Sequence, residues 1–95
     1  MKELYIASLI HNGVLGGALY LTETMTVYRT NKLTVDKKYR NLEISYKEIR
    51  EVKKGWSFIF PKITILLNDN TVYNFIVFAR NKYYRRIQEF INNCS

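Results

Sequence analysis

The apolar and polar residues alternate along much of this chain, and the alternation predicts a protein built mainly of short β-strands. It is clearest over residues 42–47, where Leu, Ile and Tyr take turns with Glu, Ser and Lys. A period of two places every second side chain on the same face of a strand, so that one face can be buried. Strands are predicted over Leu4–His11, Ala18–Thr22, Met25–Arg29, 42–47, Arg50–Lys54, Lys62–Leu67 and Thr71–Phe78, with a turn or a single helical turn at Tyr46–Ile49.

Glycine, asparagine and aspartate mark the predicted turns between these strands. Asn12-Gly13 and Gly16-Gly17 are interpreted as turn signals after the first strand. Residues 68–70, Asn-Asp-Asn, separate the two strongest strands. Both residue types tolerate the left-handed backbone of a tight turn, so a hairpin is predicted there.

The period changes near Arg80, and the C-terminal part of the chain is predicted to be an amphipathic helix over about residues 80–92. Its apolar stripe consists of Tyr83, Tyr84, Ile87, Phe90 and Ile91. Spacings of three and four place these side chains on one helix face, which must pack on the strands. The fold class is therefore mainly β, with about seven strands in a bent sheet or open barrel that the helix closes at one end.

Length and composition predict a single domain over residues 1–95. The chain has room for one core, and 47% of its residues are apolar. The apolar start, Leu4–Ile10, is far shorter than the roughly 20 residues of a membrane helix. The one cysteine, Cys94, cannot form an intrachain disulfide, which is typical of a reducing compartment. We expect a cytoplasmic protein, at most peripheral on the inner face of a membrane.

The positive charge is concentrated in the middle third of the chain. The formal net charge is +7, and residues 29–62 contain ten Lys or Arg residues against four Asp or Glu residues. This excess favours an anionic partner, although a solvated loop that only aids solubility explains it too. Near an anionic leaflet each basic residue contributes about 1 kcal/mol, so such a segment needs a second attachment. The candidate lipid- or anion-binding residues are Arg29, Lys32, Lys37, Lys38 and Arg40.

A second candidate surface is the aromatic run from Gly55 to Pro61, which contains the only tryptophan and the only proline. Trp56, Phe58 and Phe60 have lysines on both sides, a combination that suits a membrane interface. The same side chains would also suit a protein or homodimer contact, or closure of the barrel as part of its core. The sequence leaves these three roles open. Pro61 marks an edge strand or the start of a strand.

Residues suited to catalysis or metal binding are scarce. The only histidine, His11, borders a glycine turn, and Cys94 is next to the chain end. Neither shows a nucleophile–base pairing or a metal-ligand spacing, and the glycines match no phosphate-binding loop. We therefore expect no enzyme activity, no cofactor and no metal. Nucleic acid is a disfavoured partner, because no nucleic-acid-binding motif accompanies the basic, tyrosine-rich composition.

Three segments, in order, resemble the GRAM domain family. Gly17–Thr22 followed by Met25–Tyr28 is similar to the opening G-x-L-x-L-T … L-x-F of these domains. Ile44–Val52 resembles their I-P-L-x-x-I-x-x-V segment, and Asn70–Tyr84 resembles their ending, G-x-x-Y-x-F-x-x-F-x-R … W. The likeness extends over residues 5–92, and a copy of this length is similar to small, stand-alone, bacterial-type members.

The resemblance implies a pleckstrin-homology-like fold: two near-orthogonal antiparallel sheets capped by a C-terminal helix. It also implies a module that binds anionic lipids or proteins. Pleckstrin-homology domains that bind phosphoinositides carry basic residues in their first hairpin, whereas residues 11–17 here contain no Lys or Arg. The predicted function is peripheral association with anionic membrane lipids through the basic residues. The alternative is protein interaction or self-association through the aromatic run or an open sheet edge.

Overall fold

The computed structural model describes residues 3–10, 13–30 and 40–94 of the chain. Its strands are β1 (Glu3–Ile10), β2 (Val14–Leu21), β3 (Met25–Arg29), β4 (Asn41–Ser45), β5 (Ile49–Ser57), β6 (Phe60–Leu67) and β7 (Val72–Val77). A single 3-10 turn, Tyr46–Glu48, joins β4 to β5, and one helix, α1 (Arg80–Cys94), follows β7. The predictions of a mainly β protein, of the helical turn and of the C-terminal helix are confirmed. His11 lies outside the described residues.

All seven strands belong to one antiparallel sheet, in the order β4-β3-β2-β1-β7-β6-β5. The two expected sheets are thus joined into one, through three residue pairs between β1 and β7 that are centred on Ser8 and Ile76. The edge strands β4 and β5 stand at opposite ends of the order, yet only Tyr46–Glu48 connects them. Because an extended residue spans at most about 3.6 Å, the sheet must curl until these edges approach each other. The result is an open barrel.

The core fills the inside of the curled sheet, and α1 covers one end of it. Fully buried side chains come from every part of the barrel and include Leu19, Ile44, Ile63, Phe75, Tyr83 and Ile87. The helix packs through aromatic pairs: the rings of Tyr5 and Tyr83 meet edge-on at 5.2 Å, and those of Tyr46 and Phe90 stack at 5.6 Å. Each such pair adds about 0.5–1.5 kcal/mol to what burial contributes. The predicted apolar stripe of the helix therefore faces the sheet.

Buried tyrosine hydroxyls are hydrogen-bonded inside this core. The Tyr83 and Thr26 hydroxyls lie 2.8 Å apart, and the Tyr46 hydroxyl donates to the Thr22 carbonyl at 2.7 Å. Burial raises the pKa of both phenols, because a phenolate in the core would lose its hydration. Burial, together with the nearby Glu3 carboxylate, raises the pKa of Tyr5 to about 12. The core is thus built to hold neutral phenols.

The turn predicted at Gly16-Gly17 is wrong, because both glycines lie inside β2 and pair with β1. The strand begins directly after Gly13, whose φ of 123° is a backbone conformation that favours glycine. A Cβ atom on Gly17 would lie 2.3 Å from the Arg29 carbonyl oxygen and 2.8 Å from the Tyr28 hydroxyl. Gly17 is therefore needed for the close approach of β3, not for a turn.

Candidate interaction surface

The hairpin between β5 and β6 ends in an exposed apolar tip. Ser57 pairs with Phe60, so the turn consists of the two residues between them, Phe58 and Ile59. The side chain of Phe58 is 89% exposed, that of Ile59 68% and that of Trp56 60%. Phe60 and Phe78 are exposed beside them. We call Trp56, Phe58, Ile59, Phe60 and Phe78 the hairpin patch.

Phe58 has a backbone conformation that its side chain disfavours. Its φ is +58°, in the left-handed region that glycine and asparagine enter far more readily. When only the first central residue of a two-residue hairpin turn has a positive φ, as here, that residue is ordinarily glycine. A bulky residue in this conformation costs about 1–3 kcal/mol, and such costs persist mainly where a side chain has a function. The ring of Phe58 is therefore a candidate contact residue.

Contacts between the hairpin and the start of α1 hold the patch in place. The guanidinium of Arg80 lies 4.4 Å from the centre of the Trp56 ring, and the same group donates a hydrogen bond to the Gly55 carbonyl. The rings of Phe60 and Phe78 meet edge-on at 6.3 Å. The base of the hairpin is thus connected to the first residue of the helix by a cation–π contact and a hydrogen bond, and to the residue after β7 by an aromatic pair.

Basic side chains surround the base of the hairpin. Lys53, Lys54 and Lys62 lie on its two strands, and the Lys54 ammonium lies 4.9 Å from the centre of the Tyr84 ring on α1. Lys53 approaches Glu51 at 3.8 Å, but both side chains are more than half exposed, so this ion pair contributes little. At about 3.4 Å per residue, Lys62 lies about 10 Å behind the tip along its strand. The hairpin therefore combines an apolar tip with a positively charged base.

The exposure of the hairpin patch decides one of the three roles considered for the aromatic run. Trp56, Phe58 and Phe60 all lie at the surface, so closure of the barrel core by these rings is wrong. Pro61 is at the start of a strand, as expected, but β6 lies between β5 and β7 and is no edge strand. Membrane insertion and a protein contact stay open as roles.

The basic connection predicted from the charge pattern lies largely outside the described residues. Lys32, Lys37 and Lys38 fall in the gap between residues 30 and 40. Arg29 is exposed, donates from Nε to the Asn41 Oδ1 at 2.8 Å, and stacks over the Tyr20 ring at 5.5 Å. Arg40 is half-buried. A shared anion site for these five residues stays a prediction.

Two residues of the patch were not selected from the sequence. Ile59 and Phe78 do not alternate with polar neighbours. The sequence pattern therefore does not show whether they lie on a strand face or in a turn. The run of apolar residues from 58 to 60 is the signal that could have found Ile59. Phe78 joins the patch only because the end of β7 lies beside β6, which is a tertiary contact.

Both edges of the sheet carry features that oppose strand addition. β4 is only five residues long and presents Glu43. β5 has an irregularity in its register between Ile49 and Glu51 and carries Lys53 and Lys54 beyond it. Short edges, bulges and lysines are the usual means by which proteins prevent pairing with another strand. An open edge is therefore a weaker candidate contact than the hairpin patch.

Clefts suited to a small ligand are limited among the described residues. Two open clefts beside α1, of about 260 Å³ and 240 Å³, share Ile49 and Ile91 in their walls. Both are smaller than the roughly 300–1,000 Å³ typical of ligand pockets. Within residues 3–10, 13–30 and 40–94, no three His, Cys, Asp or Glu side chains are grouped to hold a metal ion. Over the same residues, α1 lacks the length and hydropathy needed to cross a bilayer.

Comparison with known proteins identifies the family. A solved structure, the C-terminal domain of an unknown protein from Leishmania infantum, resembles this chain with a TM-score of 0.78 and 16% identity. The match covers 94% of this chain and 81% of that one, and at this identity it shows the fold alone. No curated protein matched the sequence.

The family model of the GRAM domain, a membrane- or protein-binding module rather than a catalytic one, matches residues 1–95. Because that match spans the whole chain and the fold agrees with it, this protein belongs to the GRAM domain family.

Proposed function

We propose that this GRAM domain binds anionic membrane surfaces, with the hairpin patch inserted and basic residues at the headgroups. The observation that carries the proposal is the strained, 89% exposed Phe58 at the tip of a hairpin with a lysine-rich base. Interfacial anchors enter a bilayer by about 5–10 Å. Such insertion would bring Lys62, about 10 Å behind the tip, to the level of the lipid phosphates.

The expected affinity is moderate and reversible. Moving one exposed Phe or Ile side chain out of water contributes about 1.5–3 kcal/mol. Each basic residue near an anionic leaflet adds about 1 kcal/mol, and salt screens this part. Phe58 and Ile59 together with Lys53, Lys54 and Lys62 therefore provide the two kinds of attachment that a peripheral protein needs. The first hairpin, residues 11–17, contains no Lys or Arg. This fits recognition of the general negative charge of a membrane better than recognition of one particular phosphoinositide.

The basic connection would contribute to the same function. Arg29, Lys32, Lys37, Lys38 and Arg40 are five of the 15 Lys and Arg residues behind the net charge of +7. We propose that they strengthen the attraction to the anionic surface, while the hairpin patch supplies the apolar contact. The two contributions differ in their response to salt, since only the electrostatic one is screened.

Co-sedimentation with vesicles tests this function. The domain should bind vesicles of phosphatidylcholine with about 30 mol% phosphatidylserine and bind pure phosphatidylcholine weakly, with a loss of binding as salt rises. Phe58→Asn removes the ring but keeps a residue that tolerates a positive φ, so it should weaken binding without loss of folding. Val72→Asn, an exposed apolar residue of β7, is the matched control and should bind like the wild type.

The two basic regions can be separated in the same assay. A Lys53→Gln/Lys62→Gln variant and a Lys32→Gln/Lys37→Gln/Lys38→Gln variant should each bind anionic vesicles less tightly. Equal binding to neutral and anionic vesicles at low salt, or wild-type binding by Phe58→Asn, would refute the proposed function.

A protein partner at the hairpin patch is the second candidate. Trp and Arg are enriched among the residues that dominate protein interfaces, and here Arg80 stacks on an exposed Trp56. If the patch instead joins two copies of this chain, light scattering should show a larger mass for the wild type than for Trp56→Ala. An unchanged monomer in both proteins would remove Trp56 as a dimer contact.

A further inference from the structure

Two basic side chains are held against aromatic rings on the side of the β5–β6 hairpin that faces α1. The Arg80 guanidinium lies 4.4 Å from the centre of the Trp56 ring, and the Lys54 ammonium lies 4.9 Å from the centre of the Tyr84 ring. Lys54 and Trp56 are two residues apart on β5, so both side chains point toward the helix, whereas Lys53 points to the opposite side of the strand. We call Lys54 and Arg80 the cation pair.

The cation pair has no acidic neighbour to neutralise it. Among the described residues, carboxylates pair only with Lys53 and Arg86, so neither Lys54 nor Arg80 has an acidic partner. Acidic residues ordinarily stabilise the first turn of a helix, yet the first turn of α1 contains none. Two neighbouring cations repel each other, and an anion placed between them removes that repulsion. This side of the hairpin therefore has the charge of an anion-binding site.

The spacing of the cation pair fits a single phosphate group. Arg80 and Tyr84 are four residues apart on α1, or about 6 Å, and Lys54 and Trp56 are about 7 Å apart on β5. Two charge-assisted hydrogen bonds of about 2.8 Å to different oxygens of one phosphate separate their donors by up to about 8 Å. The guanidinium is already oriented by the Gly55 carbonyl and the indole ring, so it loses little conformational freedom when it binds.

We propose that the cation pair binds the phosphomonoester headgroup of phosphatidic acid. This inference rests on the proposed membrane function and names the lipid that the hairpin would select. A phosphomonoester carries a charge of about −1.5 to −2 near pH 7 on one group. The phosphodiester of phosphatidylserine carries a single charge at the same depth of the membrane. Two cations that converge on one phosphate therefore favour the monoester.

The depth of the cation pair favours a phosphate that is attached directly to the glycerol of the lipid. Trp56 is two residues behind Phe58, so the guanidinium stacked on its ring lies about 7 Å behind the hairpin tip. An anchor that enters the bilayer by about 5–10 Å would bring this group to the layer of the glycerol phosphates. Phosphates on an inositol ring extend further into the water than this layer.

Co-sedimentation with two kinds of charged vesicle tests the proposal. Phosphatidylcholine vesicles would contain either phosphatidic acid or phosphatidylserine, in amounts that give the same zeta potential. The wild type should bind the phosphatidic acid vesicles about tenfold more tightly, and Lys54→Gln should bind both kinds alike. Lys53→Gln removes the same charge from the other side of the same strand, so it should weaken binding to both kinds equally and keep the preference. Both lysines are exposed, and circular dichroism should show that both variants fold.

Arg80 and the pH provide two further measurements. Arg80→Gln should also lose the preference, while Lys82→Gln, two residues further along the helix, should keep it. The ratio of the two affinities is the readout, because Arg80 also holds the hairpin in place and its loss lowers binding to every vesicle. The wild-type preference should grow from about pH 5 to about pH 8, since the monoester takes its second charge near pH 6. This growth should be absent in Lys54→Gln.

The outcomes separate this inference from the membrane function on which it rests. A wild type that binds neither kind of vesicle refutes both. Equal binding to the two kinds at equal zeta potential overturns only the choice of phosphatidic acid, as does a preference that persists in Lys54→Gln or is lost equally in Lys53→Gln. Glycerol 3-phosphate, titrated without vesicles, is the soluble probe. If it binds the wild type with a dissociation constant below about 1 mM and does not bind Lys54→Gln, the ligand is a soluble phosphomonoester and the lipid is the wrong assignment.

Discussion

At Phe58, an unfavourable backbone conformation and nearly complete exposure occur in the same residue. The ring contributes little to the fold, because it is 89% exposed, while its φ of +58° costs free energy. Among the described non-glycine residues only Asn70 shares a positive φ, and asparagine tolerates it readily. Selection for stability alone would therefore favour glycine or asparagine at position 58.

Replacing Phe58 by glycine should stabilise the fold and weaken membrane binding. Release of about 1–3 kcal/mol of backbone strain outweighs the roughly 0.5–1 kcal/mol of extra chain entropy that glycine brings. The free energy of unfolding should rise by a few tenths to about 1 kcal/mol, measured by urea denaturation. Ile59→Gly, the neighbouring change at a residue without a positive φ, should lower it instead. Equal destabilisation by both changes would show that the backbone at Phe58 is not strained.

The β5–β6 hairpin depends on α1 for its position. Arg80, the first residue of the helix, stacks on Trp56 and donates to the Gly55 carbonyl. Further along the helix, the Nε of Arg86 lies 2.8 Å from the Glu3 carboxylate on β1. One helix therefore connects the first strand of the sheet to the hairpin that carries the patch.

Arg80→Lys should loosen the hairpin while leaving the barrel folded. Lysine keeps the charge but lacks the planar group that stacks on the ring and donates to the carbonyl in a fixed geometry. Trp56 is the only tryptophan, so its fluorescence anisotropy reports on the hairpin alone and should fall. Lys82→Arg, two residues further along the same helix, is the control and should leave the anisotropy unchanged. If Arg80→Lys also leaves it unchanged, the cation–π contact does not restrain the hairpin.

On the scale of the whole molecule, the buried phenols make the fold sensitive to alkaline pH. Tyr5, Tyr28, Tyr46 and Tyr83 all have a raised pKa, chiefly because burial disfavours the phenolate. In the unfolded chain these groups ionise near pH 10, while in the folded protein they keep their protons to higher pH. Above pH 10 the unfolded state therefore binds fewer protons, and the free energy of unfolding falls as pH rises.

Urea unfolding between pH 8 and 12 should show this loss. The stability that these tyrosines contribute is complete below about pH 10, and each phenol then removes up to about 1.4 kcal/mol per pH unit. Tyr83→Phe should lower stability at pH 8 and flatten the decline above pH 10. Thr26→Val removes the hydroxyl partner of Tyr83 but keeps the titrating phenol. It should therefore lower the free energy of unfolding at pH 8 and still show the fall in stability above pH 10. If the free energy of unfolding falls above pH 10 by the same amount in Tyr83→Phe and in the wild type, Tyr83 does not cause the alkaline loss of stability.

Much of the fold could be predicted from local sequence patterns. The bounds of β3, Met25–Arg29, agree with the prediction, and α1 begins at Arg80 as expected. Both are encoded by a period of two or of about three and a half that persists over a whole element. The strands β5 and β6 extend further toward the hairpin tip than predicted. The predicted strands were too short because apolar residues 58–60 do not alternate with polar residues.

The surface was less predictable than the fold. Gly17 has the same sequence signature as a turn glycine, and only the position of Arg29 on the neighbouring strand gives it a different role. Likewise, an aromatic run has the same composition in a core, in a protein interface and at a membrane. The exposure of Phe58 and Trp56 follows from which strands lie beside the hairpin, and this is set by pairings distant in sequence.

The sequence by itself determined the elements of this protein and its membership of the GRAM domain family, because periodicity, turn residues and motif spacing are local properties. The tertiary structure decided which apolar residues are buried. It placed the hairpin patch and Ile6 at the surface because α1 covers only one end of the barrel and the core lies inside it. Ile6 and Ala7 are adjacent apolar residues of one strand, yet one is exposed and the other lies in the core. The direction in which the sheet curls makes that difference.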